Sequence, residues 1–273
     1  MSLFKLSRQR IIIGLTITLT AIASLVNASE GKAQSRQPID DISRTIKVSF
    51  NPPPVADNGA PGGRRKGAGS HSLCKFTKQA TEITPLIALM PEIPIETETK
   101  SKTYVWGKTA VDHPNFWFYV AYPANTYAEF VLQDEAENEI YQTTFTLNKT
   151  SGIVSLTLPK DKITLEIDKS YHWYFNIMCD SEDTTDDFVE GWIERVRLNP
   201  FINNQLESVQ PIERISIYAE NGLWYDTLTN LDRLRQIEPE NKAIANLWSD
   251  LLQQVGLDEI SQKPIVKRYN LEN

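Results

Sequence analysis

Between residues 86 and 198 apolar side chains recur at every second position. Phe116, Phe118 and Val120 share one side of an extended chain, as do Ala128, Phe130 and Leu132, then Tyr141, Thr143, Phe145 and Leu147, then Val154, Leu156 and Leu158. Successive side chains of a strand point to opposite faces, so this pattern predicts antiparallel strands buried on one side. The fullest alternation runs from 171 to 179: Tyr171, Trp173, Phe175, Ile177 and Cys179 face one way, His172, Tyr174 and Asn176 the other. Turn-forming residues at 134–138, 148–152, 159–162 and 168–170 separate the runs. Seven or eight short strands so spaced predict a β-sandwich, of which the immunoglobulin-like version is the commonest.

After Pro200 the period lengthens to that of helices. Ile212, Ile215 and Ala219 form a stripe ending at Gly222; Trp224, Leu228, Leu231 and Leu234 form another, stopped by Pro239; Ile244, Trp248, Leu251 and Val255 form a third, stopped by Gly256. Glycine and proline are helix stop signals. The predicted class is therefore α+β: an antiparallel, immunoglobulin-like β-sandwich over 71–200, a three-helix C-terminal cap over 201–261 and a tail over 262–273. Within the cap, Tyr218, Gly222, Trp224 and Pro239 stand where a tetratricopeptide repeat places an aromatic, a glycine, an aromatic and a proline, although Thr227 and Leu234 replace its small alanines. A solenoid needs about three such repeats, so the stretch is read first as a helical cap on the sheet. A partner surface carried by Trp224, Leu231 and Tyr218 is the alternative.

The chain opens differently. Lys5, Arg8 and Arg10 precede an apolar run from 11 to 26, and small residues follow at Ala28, the layout of a cleavable signal peptide over 1–28. The alternative is an uncleaved anchor, but the run is short for a ~30 Å hydrocarbon core. Export to a periplasmic or secreted location is the expectation, with no stable membrane span after cleavage. Residues 29–70, poor in aliphatics and rich in Gln, Ser, Pro, Gly and Arg, read as a flexible linker, with a short edge strand at 46–50.

Charge narrows the choice of partners. Removing three basic residues and no acid with the signal peptide takes the formal net charge from -7 to -10, which disfavours nucleic acid. The two cysteines, Cys74 and Cys179, are read as a disulfide in an oxidising compartment; the alternative is two unpaired thiols.

Several blocks together carry a family resemblance: 59–62 leading through 67–70 to Cys74, 86–91, 115–120, 128–132, 171–175, 189–193, and Tyr218 through Gly222 and Trp224 to Asp226. Over residues 60–255 the chain is similar to a family found in cyanobacteria and known as domain of unknown function 928. The resemblance implies a cyanobacterial, exported protein; it transfers no activity and no catalytic residue. Ser70-His71 stands where that family usually has Ser-Arg, and residues 180–187 are more acidic than its pattern.

No motif singles out a reaction. Arg64, Arg65 and Lys66 sit among glycines and offer an anion contact, but no Gly-Lys-Ser/Thr ending follows; a basic tether is the plainer reading. Asp180, Glu182, Asp183, Asp186, Asp187 and Glu190 are oxygen ligands in number, but their spacing fits no calcium loop. His71, His113 and His172 are scattered, so no metal site and no cofactor is expected. Glu129, Asp134, Glu190 and Glu194 are too many to select a hydrolytic pair from. Trp117, Tyr119, Trp173, Tyr174 and Trp192 are read as core first, and as a sugar-stacking sheet face second. The sequence thus points to a non-catalytic cell-envelope binding or adaptor protein whose partner is an envelope protein or glycan. The alternative is an envelope hydrolase acting on glycan or peptide; a cleft with two carboxylates favours that enzyme, and a flat aromatic sheet face favours binding.

Overall fold

A computed structural model describes residues 47–54, 62–67, 86–96, 101–148, 151–179 and 185–271. Among the described residues ten strands form two sheets: β1 Leu86–Ala88, β2 Glu92–Glu96, β3 Ser101–Thr109, β4 Asn115–Val120, β5 Tyr127–Gln133, β6 Glu139–Thr146, β7 Gly152–Thr157, β8 Lys169–Met178, β9 Asp187–Arg195 and β10 Ile265–Asn270. One sheet has the order β1-β4-β7-β10, the other β2-β3-β9-β8-β5-β6. Between β9 and β10 come four helices, α1 Pro200–Ser208, α2 Pro211–Glu220, α3 Trp224–Ile237 and α4 Lys242–Gln254. The protein is mixed α+β, with strands and then helices along the chain as the two periods predict.

The sheets meet face to face through aromatic rings. Phe118 of β4 stacks on Phe175 of β8 at 4.3 Å between centroids, and Phe116 of β4 meets Phe130 of β5 at 4.8 Å. Alternation also fixes the turns: between β5 and β6, Asp134 Oδ1 accepts hydrogen bonds from the Ala136 and Asn138 amides.

Three expectations are corrected. The sheets are not wholly antiparallel, because β3 runs parallel to β9 and β10 parallel to β7. Parallel neighbours need a long crossover, and period-two patterning says which face a residue takes, not which strand lies beside it. The tail expected at 262–273 supplies β10. A fourth helix, α1, precedes the three expected ones; its N-cap Asn199 accepts from the Ile202 amide and Pro200 starts it. The reading of Trp117 and Tyr119 as core holds: they are buried like Phe116 and Phe118, so β4 is covered on both sides, with Trp248 of α4 against Trp117 at 5.6 Å.

The helical layer is part of the core. Tyr225 of α3 reaches the aromatics between the sheets, 5.4 Å from Phe116, accepting from Trp173 Nε1 at 2.8 Å and donating to the Trp192 carbonyl at 3.2 Å. Trp224 Nε1 donates to the Leu89 carbonyl at 2.7 Å. Between α2 and α3 the chain turns at Gly222, whose φ of +72° favours a residue without a Cβ.

Two stretches of the segment read as linker are also packed. Val48 and Phe50 are buried, Phe50 edge-on to Trp224 at 4.7 Å, while Gln254 bonds both the Phe50 amide and the Val48 carbonyl. Residues 62–67 form a strap between the sheets. Arg64 bridges to Glu190 of β9 and Lys66 to Ile87 of β1. The stretch 1–28 expected as a signal peptide, the rest of the expected linker and Ile46 lie outside the described residues. No described helix is long and apolar enough to cross a membrane.

Candidate functional site

Strand alternation that turns Tyr171, Trp173, Phe175 and Ile177 into the core must turn His172, Tyr174 and Asn176 to the other side. Register then assembles a row across the sheet. Trp106 of β3 stands beside Trp192 of β9, Trp192 beside His172 of β8, and His172 beside Gln133 of β5. The next row places Glu190 beside Tyr174, Tyr174 beside Val131, and Val131 beside Gln142.

The rings of this outer face are ordered by one another. The His172 imidazole lies flat on Trp192, 4.4 Å between centroids and 9° between planes, and 4.3 Å from Tyr174. Its Nδ1 is 3.0 Å from the Tyr174 hydroxyl. Its Nε2 lies 3.1 Å from the Glu190 carboxylate, off the line of a hydrogen bond. His172 is thus buried while Trp106, Tyr174 and Trp192 remain partly exposed. Burial raises the Tyr174 phenol above its ordinary range, with Glu190 and Glu137 adding to the effect.

Polar groups flank the rings. Lys108 Nζ sits 5.3 Å from the Trp106 ring centroid and 3.8 Å from the Glu194 carboxylate. Burial pushes the Glu194 carboxyl up; Lys108 opposes this, and Asp168 and Glu135 add to it. Glu129 accepts from Gln142 at 2.6 Å and from Asn176 at 2.7 Å. Glu190 and Glu194 lie four residues apart on β9, about 13 Å along a strand, whereas glycosidases hold their carboxyl pair at roughly 5–10 Å. Asp134 is used in the β5–β6 turn.

The other sequence-derived site residues fall elsewhere. Trp224 and Leu231, read as a partner surface, are fully buried; this is corrected, because α3 is enclosed by sheet and helices and its stripe is core. Tyr218 is half-buried. The anion contact is corrected too. Arg65 is buried, donating from Nη1 to the Val255 carbonyl at 2.6 Å and the Met90 carbonyl at 3.3 Å, and from Nη2 to the Gly256 carbonyl at 3.3 Å, with Glu92 at 2.7 Å. It caps the C-terminus of α4, where a cation is favoured. Arg64 lies over the Phe188 ring and Lys66 pairs with Glu259. Backbone carbonyls and acids brought in from distant sequence occupy Arg65 and Lys66, while Arg64 Nε donates to the nearby Lys66 carbonyl.

Cys179 follows β8 and is disulfide-bonded. Cys74, with which the sequence pairs it, lies outside the described residues, as do His71, Asp180, Glu182 and Asp183. Of the remaining acids, Asp186 accepts from the Cys179 amide, and buried Asp187 accepts from the Tyr122 hydroxyl at 2.8 Å. Among the described residues no group of three potential ligands is placed to hold a metal.

Sequence reasoning missed Trp106 and Lys108. The signal was there, since Tyr104, Trp106 and Lys108 alternate with Val105 and Gly107, but only pairing with β9 reveals that Trp106 extends the Trp192 row. Two facing sheets, a helical layer sharing their core and an aromatic, acid-bearing outer face define an α+β domain that presents a sheet surface. Residues 60–265, more than half of the chain, match the family described as Domain of Unknown Function (DUF928), and the chain belongs to that family. No curated protein matches it.

Proposed function

We propose that the protein is an exported, non-catalytic binding protein and that the outer face of the six-stranded sheet takes an envelope glycan. The observation that carries this reading is the row Trp106–Trp192–His172 with Tyr174, Glu190 and Lys108 around it. Partly exposed indole and phenol rings give flat apolar area for a sugar face, and the flanking carboxylates, amide and ammonium match its hydroxyls. The His172 stack holds Trp192 in one orientation, which lowers the ordering cost of binding. Export rests on the signal-like opening of the chain.

The strand order supports an immunoglobulin-like reading of the sandwich. The antiparallel pair β4–β7 lies in one sheet and β5–β8–β9 in the other, as strands B–E and C–F–G do. The β10 strand then takes the fourth place of the smaller sheet.

The test is retention of the purified protein in affinity electrophoresis through gels containing envelope polysaccharide. The expected result is retardation that falls about tenfold in apparent affinity for Trp192→Ala and is unchanged for the exposed helix variant Phe201→Ser. No retardation by any envelope polysaccharide, or equal retardation of Trp192→Ala, refutes the reading.

A further inference from the structure

On the far side of the smaller sheet, the end of α3, the middle of α4 and the chain leading into β10 enclose two adjoining hollows of about 340 and 360 Å³. Arg235, Ala245 and Pro264 line both. The smaller hollow has Arg235 and Lys263 in its wall and no carboxylate. In a chain with 35 acids and 28 bases, that local balance runs against the whole.

Arg235 is the unusual member. Its guanidinium lies 4.8 Å from the Trp248 ring centroid, and its Nη1 is buried with no hydrogen-bond partner in the protein. Asp232, the acid that acts on it electrostatically, is committed elsewhere. Arg268 reaches both of its oxygens, from Nε at 2.8 Å and from Nη2, and Gln236 Nε2 donates at 2.8 Å. Burial lowers the Arg235 pKa, Asp232 opposes this and Arg268 reinforces it.

Two structural roles explain part of this residue. Its stem and plane cover Trp248, and a cation in the last turn of α3 suits the helix dipole. Neither uses the Nη1 donor, and a buried donor left unpaired is costly. A planar guanidinium matches the paired oxygens of an oxyanion. We propose that Arg235 anchors an oxyanion-binding pocket, which takes a sulfate or carboxylate carried on a group no larger than about one sugar residue. Lys263, exposed at the rim, adds a second cation. This site is separate from the outer sheet face and does not depend on glycan binding there.

Thermal unfolding of the purified full chain tests it, in buffers of constant ionic strength containing sulfate, glucuronate or neutral glucose. The expected result is a saturable rise in Tm of roughly 5 °C at a hundredfold over Kd, given by sulfate or glucuronate, not by glucose, and lost in Arg235→Met. A response to sulfate alone assigns the pocket to an inorganic anion, and one to glucuronate assigns it to a sugar acid. The methionine keeps an apolar cover on Trp248. Should that variant fail to fold, Arg235→Lys carries the test: it keeps charge without the fork and is expected to weaken the apparent affinity at least about tenfold. Equal Tm rises in wild type and the folded variant, or none with either anion, overturn the proposal.

Discussion

Asp226 offers the sharpest test of the energetics. It lies in the first turn of α3, fully enclosed, with Oδ2 accepting from the Ala110 amide at 3.0 Å. Burial pushes its carboxyl up to about 6 from the ordinary 3.8, against the lowering effect of the Ala110 amide and Thr109. A folded-state pKa above the unfolded one means that the native protein holds this proton more tightly. The contribution is complete below about pH 4 and is lost as pH rises through 6. At 1.36 kcal/mol per unit, the ionised form at pH 7 costs the fold about 3 kcal/mol, and about half of that at pH 5. Replacing Asp226 with Asn mimics the protonated acid and keeps an acceptor for Ala110. Urea unfolding of wild type and Asp226→Asn at pH 4, 5, 6 and 7 should therefore give nearly equal stability at pH 4 and a variant more stable by about 3 kcal/mol at pH 7. Taking the difference cancels the other titrating groups. A variant less stable than wild type at pH 7, or a difference that does not change with pH, refutes the reasoning.

Other expectations concern the strap, the sheet and the cysteines. Arg65→Ala leaves three carbonyls and Glu92 without their partner and should lower stability by about 3 kcal/mol, read as a fall in the urea midpoint at unchanged slope. At Gly191 a Cβ would fall 2.5 Å from Trp173 Cζ2 and 2.7 Å from the Val105 carbonyl oxygen, so Gly191→Ala should cost about 3 kcal/mol or prevent folding, as near-ultraviolet circular dichroism reports. Peptide mapping without reductant should recover Cys74 joined to Cys179, and reduction should lower stability by up to about 4–5 kcal/mol for a loop of that length; recovery of Cys74 as a free thiol contradicts the pairing.

What could be read in the sequence was what alternation encodes. β8 was legible because each second residue is a core aromatic or aliphatic, and that pattern also placed His172 and Tyr174 outside the core. Trp117 and Tyr119 of β4 were read as core, but what covers them was not legible, because Trp117 meets Trp248 from 131 positions away. The helical stripe containing Trp224 and Leu231 was recognised, but a stripe does not say whether a second chain or the protein's own sheet covers it. Arg64, Arg65 and Lys66 looked like a free basic run for the same reason. The groups their side chains meet, Phe188, Val255 and Glu259, come from the far half of the chain, and composition is silent about such pairings. The outer face was half legible: its rings could be named, but their neighbours depend on strand register.

The position of β10 sets the order in which the molecule can be completed. The smaller sheet takes its last strand from beyond all four helices, so β7 has an open edge until α1 through α4 have been laid down. Such distant pairing slows folding, and an uncovered β7, whose residues Ile153, Val154 and Leu156 are buried in the native state, is a template for strand addition by another molecule. Chains stalled before Ile265 are thus expected to associate through that edge, and the final strand acts as a safeguard against self-assembly as well as a part of the sheet.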